Sequence, residues 1–165
     1  MDGYLSHHAK KCPMYKKTLL EILFWAFTAV VAIAVLLPIL NEVEDYPFLF
    51  INTVYIVTAI TVTRYLFLLP HTFLARRQPL KVILIFLCIP LVFYLVQELN
   101  NFQVFIDEKG LDALVGGLAY HRRNNMVDYI RSEMLLFGTG SIISSVAFPF
   151  RLLVSVWRTR NWGTV

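Results

Sequence analysis

Four apolar runs, each long enough to cross a bilayer as a helix, constrain this chain more than any other feature. A helix needs about 20 apolar residues to span the hydrocarbon core. The runs cover residues 18–40, 48–69, 80–99 and 134–157. Together they make the chain 58% hydrophobic and only 16% charged over 165 residues. A soluble domain is nearer 45–50% apolar and about 25% charged. A chain this short leaves much of its surface exposed, so the excess needs lipid as its solvent.

Backbone groups in lipid must be satisfied within the protein, which restricts spans to helices or closed barrels. The runs are continuous and about twice the length of a barrel strand, so helices are expected. The fold class is therefore an all-α integral membrane protein with four transmembrane helices. The first run is too long for a signal-peptide core, and Asn41-Glu42-Val43-Glu44 follows it in place of a small-residue cleavage site. It reads as a retained helix. Pro47 and Pro70 bracket the second run, Pro79 precedes the third, and Pro90 interrupts the third with an expected kink.

The net charge of +4 is a topology signal once the charges are placed. Lys10, Lys11, Lys16, Lys17, Arg76, Arg77, Lys81, Arg158 and Arg160 fall on one side with Asp2, for a net +8. Glu42, Glu44, Asp45, Glu98, Asp107, Glu108, Asp112, Asp128 and Glu133 fall on the other with Lys109, Arg122, Arg123 and Arg131, for a net −5. Basic residues mark the cytoplasmic side, so both termini are expected inside, in a plasma or inner membrane. The basic side suits anionic lipid headgroups, and no nucleic-acid partner is expected. The organisation is a basic tail at 1–17, one transmembrane domain at 18–157 and a short cytoplasmic tail at 158–165.

Residues 100–133 form the long outer segment. Leu111, Leu114, Val115 and Leu118 repeat at helical spacing and predict a short amphipathic helix, lying on the membrane or capping the bundle. Gly116-Gly117 weakens it. Met126, Ile130, Met134 and Phe137 extend the helical pattern of the fourth span outward to a start near Asn125. His121, Arg122 and Arg123 make a basic knot just before that start, suited to a phosphate, an acidic partner or simple solvation.

Charged groups inside spans are costly and are candidate functional residues by default. Three stand out: Glu21, Arg64 and Arg151. All fall about 5–10 Å inside the cytoplasmic boundary at 1.5 Å per residue. One carboxylate and two guanidiniums at one depth suggest an interhelical network able to hold a lipid phosphate or small anion. Snorkelling of the arginines to the headgroups is the simpler alternative.

In the fourth span, Gly138, Ser141, Ser144, Arg151 and Ser155 line one face, with Ser145 beside them. Small and hydroxyl residues let helices approach closely. The face reads as a packing seam, or alternatively as a pore lining. Thr58 and Thr61 form a weaker polar stripe near Arg64.

Catalytic signatures are missing. The sequence has no His-Glu-x-x-His, Cys-x-x-Cys, Walker loop or Gly-x-Ser-x-Gly elbow. Gly138-Thr139-Gly140-Ser141 lies in a span and lacks the lysine of a phosphate loop. His7, His8, His71 and His121 do not converge, and Cys12 and Cys88 form no framework, so no metal, cofactor or disulfide is expected. Few residues follow Trp157, so no output domain is expected there. The expectation is a non-catalytic subunit or regulator that binds another membrane protein or copies of itself. The alternatives are a homo-oligomeric channel lined by the fourth helix, and a membrane-embedded enzyme acting on lipid or quinone through Glu21, Glu98, Asp107 or Glu108.

Overall fold

A computed structural model describes residues 12–43, 46–69, 72, 74, 77–117 and 119–162, without the side chains of 12–17 and 162. Residues 1–11 of the basic tail, with His7 and His8, and Glu44, Asp45, His71, Arg76 and Leu118, lie outside the described residues, as do the Lys16 and Lys17 side chains. The described chain is helical: α1 is Cys12–Glu42, α2 is Leu49–Leu68, α3 is Gln78–Lys109 and α4 is Tyr120–Trp162. All four are long and apolar enough to cross a membrane.

Side-chain bonds between helices give the topology. Glu21 meets Arg64, Tyr55 meets Leu95 and Lys81 meets Ser155, so consecutive helices run antiparallel. Asn52 meets Glu133 and Leu66 meets Arg151, so α2 and α4 run parallel. The result is an up-down-up-down bundle. α4 packs extensively on both α2 and α3, while α1 leans mainly on α2.

Each helix buries a narrow stripe. On α1 it is Thr28, Ala32, Leu36 and Ile39; on α3 it is Lys81, Cys88, Leu95 and Phe102, seven residues apart. That period keeps one seam facing its neighbours. The remaining circumference is apolar and exposed, as on Ile22, Leu23, Phe27 and Val30 of α1 or Phe86 and Phe93 of α3. Such a surface suits lipid as its solvent. Pro38, Pro90 and Pro149 sit inside helices that continue through them. Each lacks a donor and leaves one carbonyl of the preceding turn free.

Two boundaries differ from the sequence reading. α3 continues to Lys109, and α4 begins at Tyr120, so most of residues 100–133 extends these two helices. The helical spacing already carried α4 out to about Asn125, but the polar residues of 100–109 and 120–124 hid the rest, because hydropathy records what lipid touches and not where a helix stops. The expected amphipathic helix at 111–118 is one 3-10 turn, Leu111–Ala113. Leu111 and Val115 still bury into the core, so the pattern marked burial, not a longer helix. α3 stops because Gly110 takes φ 72° and ψ 152°, with its N–H on the Ile106 carbonyl. Only glycine adopts that conformation cheaply.

Candidate functional site

Polar side chains inside the bundle gather at two levels. Asn52 and Arg64 mark them on α2, twelve residues apart, or about 18 Å along the helix.

At the Arg64 level, the Arg64 guanidinium pairs with the Glu21 carboxylate across α1 and α2. The side chains are 8% and 20% exposed, so the pair is largely withdrawn from its surroundings. Arg64 also lies 4.5 Å from the Phe24 ring centroid and 5.0 Å from that of Tyr65. Cation–π contacts of this kind strengthen when desolvated. Arg151 does not join them. Its side chain is exposed and its Nε donates to the Leu66 carbonyl at 3.3 Å. The depth is shared, but Arg151 points outward, so the expected three-residue network reduces to a Glu21–Arg64 pair with Arg151 clasping α4 to the end of α2.

Lys81 lies at the same end. It is 0% exposed, and its ammonium donates to Ser155 Oγ at 3.0 Å. The charge pattern had marked it only as a topology residue. Its seven-residue spacing to Cys88 was the signal that it faces inward.

Between the two levels, Tyr55 donates to the Leu95 carbonyl at 2.9 Å. The small-residue face of α4 is buried here. Ser141 donates to the Gly138 carbonyl at 2.8 Å and Ser144 to the Ser141 carbonyl at 3.1 Å. Ser145 is fully buried. A Cβ on Gly138 would stand 3.0 Å from Leu99 Cδ1 and 3.7 Å from the Tyr55 ring. The face is thus filled by α2 and α3 of the same chain. Thr58 is half-buried, and Thr61 lines a cavity of about 260 Å³ with Tyr65, Leu84, Cys88, Leu91 and Phe148.

At the Asn52 level, Asn52 Nδ2 donates to Glu133 Oε2 at 2.6 Å, and both residues are buried. Tyr46, in the α1–α2 connection, lies beside them. Burial pushes the Tyr46 phenol above its ordinary pKa; the Glu133 charge adds to this and the Asn52 amide opposes it. The hydroxyl therefore stays protonated. Tyr129 donates to the Val35 carbonyl at 2.8 Å, fastening α4 to α1. This level was not expected from the sequence, where Glu133 counted only as an outer charge. Its spacing from Ile130 and Phe137, which puts it on the apolar face of α4, was the available signal.

The basic knot is not a knot in the fold. Tyr120–Arg123 forms the first turn of α4, and its side chains diverge. His121 is exposed, Arg122 reaches Glu42 at 3.4 Å, and Arg123 donates to the Gly116 carbonyl at 2.7 Å. Successive helical residues point about 100° apart, so three neighbours cannot converge on one anion.

No cluster of three His, Cys, Asp or Glu side chains suited to a metal occurs among the described residues. No family model, curated protein or solved structure matches the chain.

Proposed function

We propose that the chain is a non-catalytic membrane subunit or regulator, oriented with both termini in the cytoplasm, that works by packing against another membrane protein. The observation that supports this best is the direction of its polar groups. Glu21–Arg64, Lys81–Ser155, Tyr55–Leu95 and Asn52–Glu133 each join two helices of the same chain. The hydroxyl face of α4 is closed off by α2 and α3, which favours internal packing over a conduit. No metal-ligating cluster among the described residues supports the enzyme reading. What the chain offers outward is apolar helix surface, and the described part of α1 packs least on its neighbours. It is held at both ends by polar clasps, to Arg64 and to Arg122, and along its length by a narrow stripe. Trp25, Phe27, Val30 and Ile33 remain open for a partner helix.

The test is site-specific photo-crosslinking in native membranes. A crosslinker at Trp25 or Phe27 is expected to capture one defined membrane protein, and the same crosslinker at Phe93 of α3 is expected to capture lipid. Capture of lipid alone from α1 overturns the proposal. Ion flux in liposomes from purified protein, lost on Arg151→Glu, would instead establish the channel.

A further inference from the structure

The Asn52 level holds more oxygen than the protein satisfies. Asn52 Oδ1, Glu133 Oε1 and the Tyr46 hydroxyl are all buried, and none has a hydrogen-bond partner of good geometry among the described residues. They belong to three elements: α2, α4 and the α1–α2 connection. Asn52 and Glu133 already touch through their other atoms, and Tyr46 lies against both. A buried polar atom without a partner costs about 1–3 kcal/mol. Of seven such atoms among the described residues, three are oxygens gathered at this one place, and that concentration points to a ligand.

We propose that Tyr46, Asn52 and Glu133 bind a monovalent alkali cation at the Asn52 end of the bundle, with Glu133 as its charged ligand.

Charge balance selects the class. The ion pairs seen among the described residues are Glu21–Arg64 and Glu42–Arg122, so Glu133 has no basic partner there. A buried carboxylate without a counter-charge is strongly unfavourable. A bound water satisfies the free oxygens but leaves the charge. A divalent ion overcompensates, because one carboxylate among the described residues faces it and a buried positive charge would remain. A single positive charge leaves the site neutral.

Donor chemistry agrees. A carboxylate, an amide oxygen and a phenol oxygen are hard donors, suited to a hard cation and not to a transition metal. Water completes the shell of an alkali ion held by three side-chain oxygens. Aromatic rings gather beside Tyr46. The rings of Phe48, Phe102 and Phe105 stack edge-on at 5.0–5.2 Å, and Tyr46 joins them at 6.2 Å from Phe48. Lys109 on that side stacks on the Phe105 ring, 5.7 Å from its centroid.

The experiment is thermal unfolding of the full chain in nanodiscs at pH 8, titrated with lithium, sodium or potassium chloride against choline chloride at equal ionic strength. The expected result is a saturable rise in Tm with one alkali cation, about 5–10 °C at a hundredfold excess over Kd, and none with choline. Glu133→Gln keeps the shape and an acceptor for Asn52 and removes the charge. It is expected to fold and to abolish the cation-dependent rise. Tyr46→Phe removes one donor oxygen and is expected to weaken binding about tenfold. Equal Tm in all four salts overturns the proposal, as does an alkali-specific rise that Glu133→Gln leaves unchanged. Should Glu133→Gln fail to fold, the Tyr46→Phe titration decides: an unchanged midpoint counts against the site.

Discussion

Arg64 and Arg151 show how little depth alone says about a side chain. Both sit at the same level near one end of the bundle, yet Arg64 is buried on Glu21 and Arg151 is exposed on a backbone carbonyl. Depth follows from counting residues along a span, whereas the direction of a side chain follows from which helix packs on which face. The Glu21–Arg64 pair was legible in the sequence because an acid and a base at one depth neutralise each other. The outward turn of Arg151 was not, because no third partner remained to fix it. Removing one partner of a buried pair costs about 3–5 kcal/mol. Arg64→Ala is therefore expected to lower Tm of the detergent-solubilised protein substantially. The exchange Glu21→Arg with Arg64→Glu should recover part of the loss, but not the Phe24 and Tyr65 ring contacts. Lys81 predicts the opposite sign. Its ammonium has a hydroxyl partner, Ser155, and no acidic partner among the described residues. Lys81→Met matches its length without a charge to desolvate, and is expected to leave Tm unchanged or raise it, by up to about 2 kcal/mol of stability. A marked loss of stability would show that the buried charge is needed for the fold.

At the scale of elements, close approach and helix termination carry the architecture. α4 reaches its neighbours through Gly138, Ser141, Ser144 and Ser145, and the glycine lies directly beneath Leu99 and Tyr55. The small-residue seam was readable from steps of three and four, which is why packing was expected. The Asn52–Glu133 contact was not readable, since an acid at the edge of a span looks like a solvated charge until α2 is laid beside it. Gly138→Leu should separate α4 from α3 and lower Tm by several degrees, while Gly138→Ala needs only a small movement of the flexible Leu99 side chain. Gly110 is a different case, because its cost is in the backbone. Gly110→Ala forces a Cβ into a region kept for glycine, at about 1–3 kcal/mol. Hydrogen exchange should report faster opening of the Gly110–Val115 turn in that variant, with the amides of α2 unaffected.

For the whole molecule, α2 is the ruler. Its 20 residues measure about 30 Å, the thickness of the hydrocarbon core. Partners of α2 then place the other helices against the membrane. Asn52 is level with Glu133, Phe48 with Phe102 and Leu66 with Arg151. At 32 and 43 residues, α3 and α4 are about 48 and 64 Å long and cannot fit within that thickness. The excess lies at both ends: beyond Asn52, α3 continues past Phe102 and α4 starts ten residues before Ile130, and beyond Leu66, α4 continues eleven residues past Arg151. The end of α1 rises with them, tied by Tyr129 to Val35 and by Arg122 to Glu42. Three helices should therefore stand about 12–15 Å clear of the bilayer on one side, at 1.5 Å per residue. The acidic balance of that side predicts that it faces away from the cytoplasm. Cysteine labelling checks both statements together. In a background with Cys12 and Cys88 replaced by serine, Asp107→Cys and Asp128→Cys are expected to react with an impermeant maleimide applied to intact cells. Arg160→Cys is expected to react only after the membrane is opened. Phe93→Cys, at an exposed apolar position on α3, should resist in both conditions. Reaction of all three polar positions from the same side would break the four-pass topology, and reversal of the pattern would invert the orientation while leaving the bundle intact.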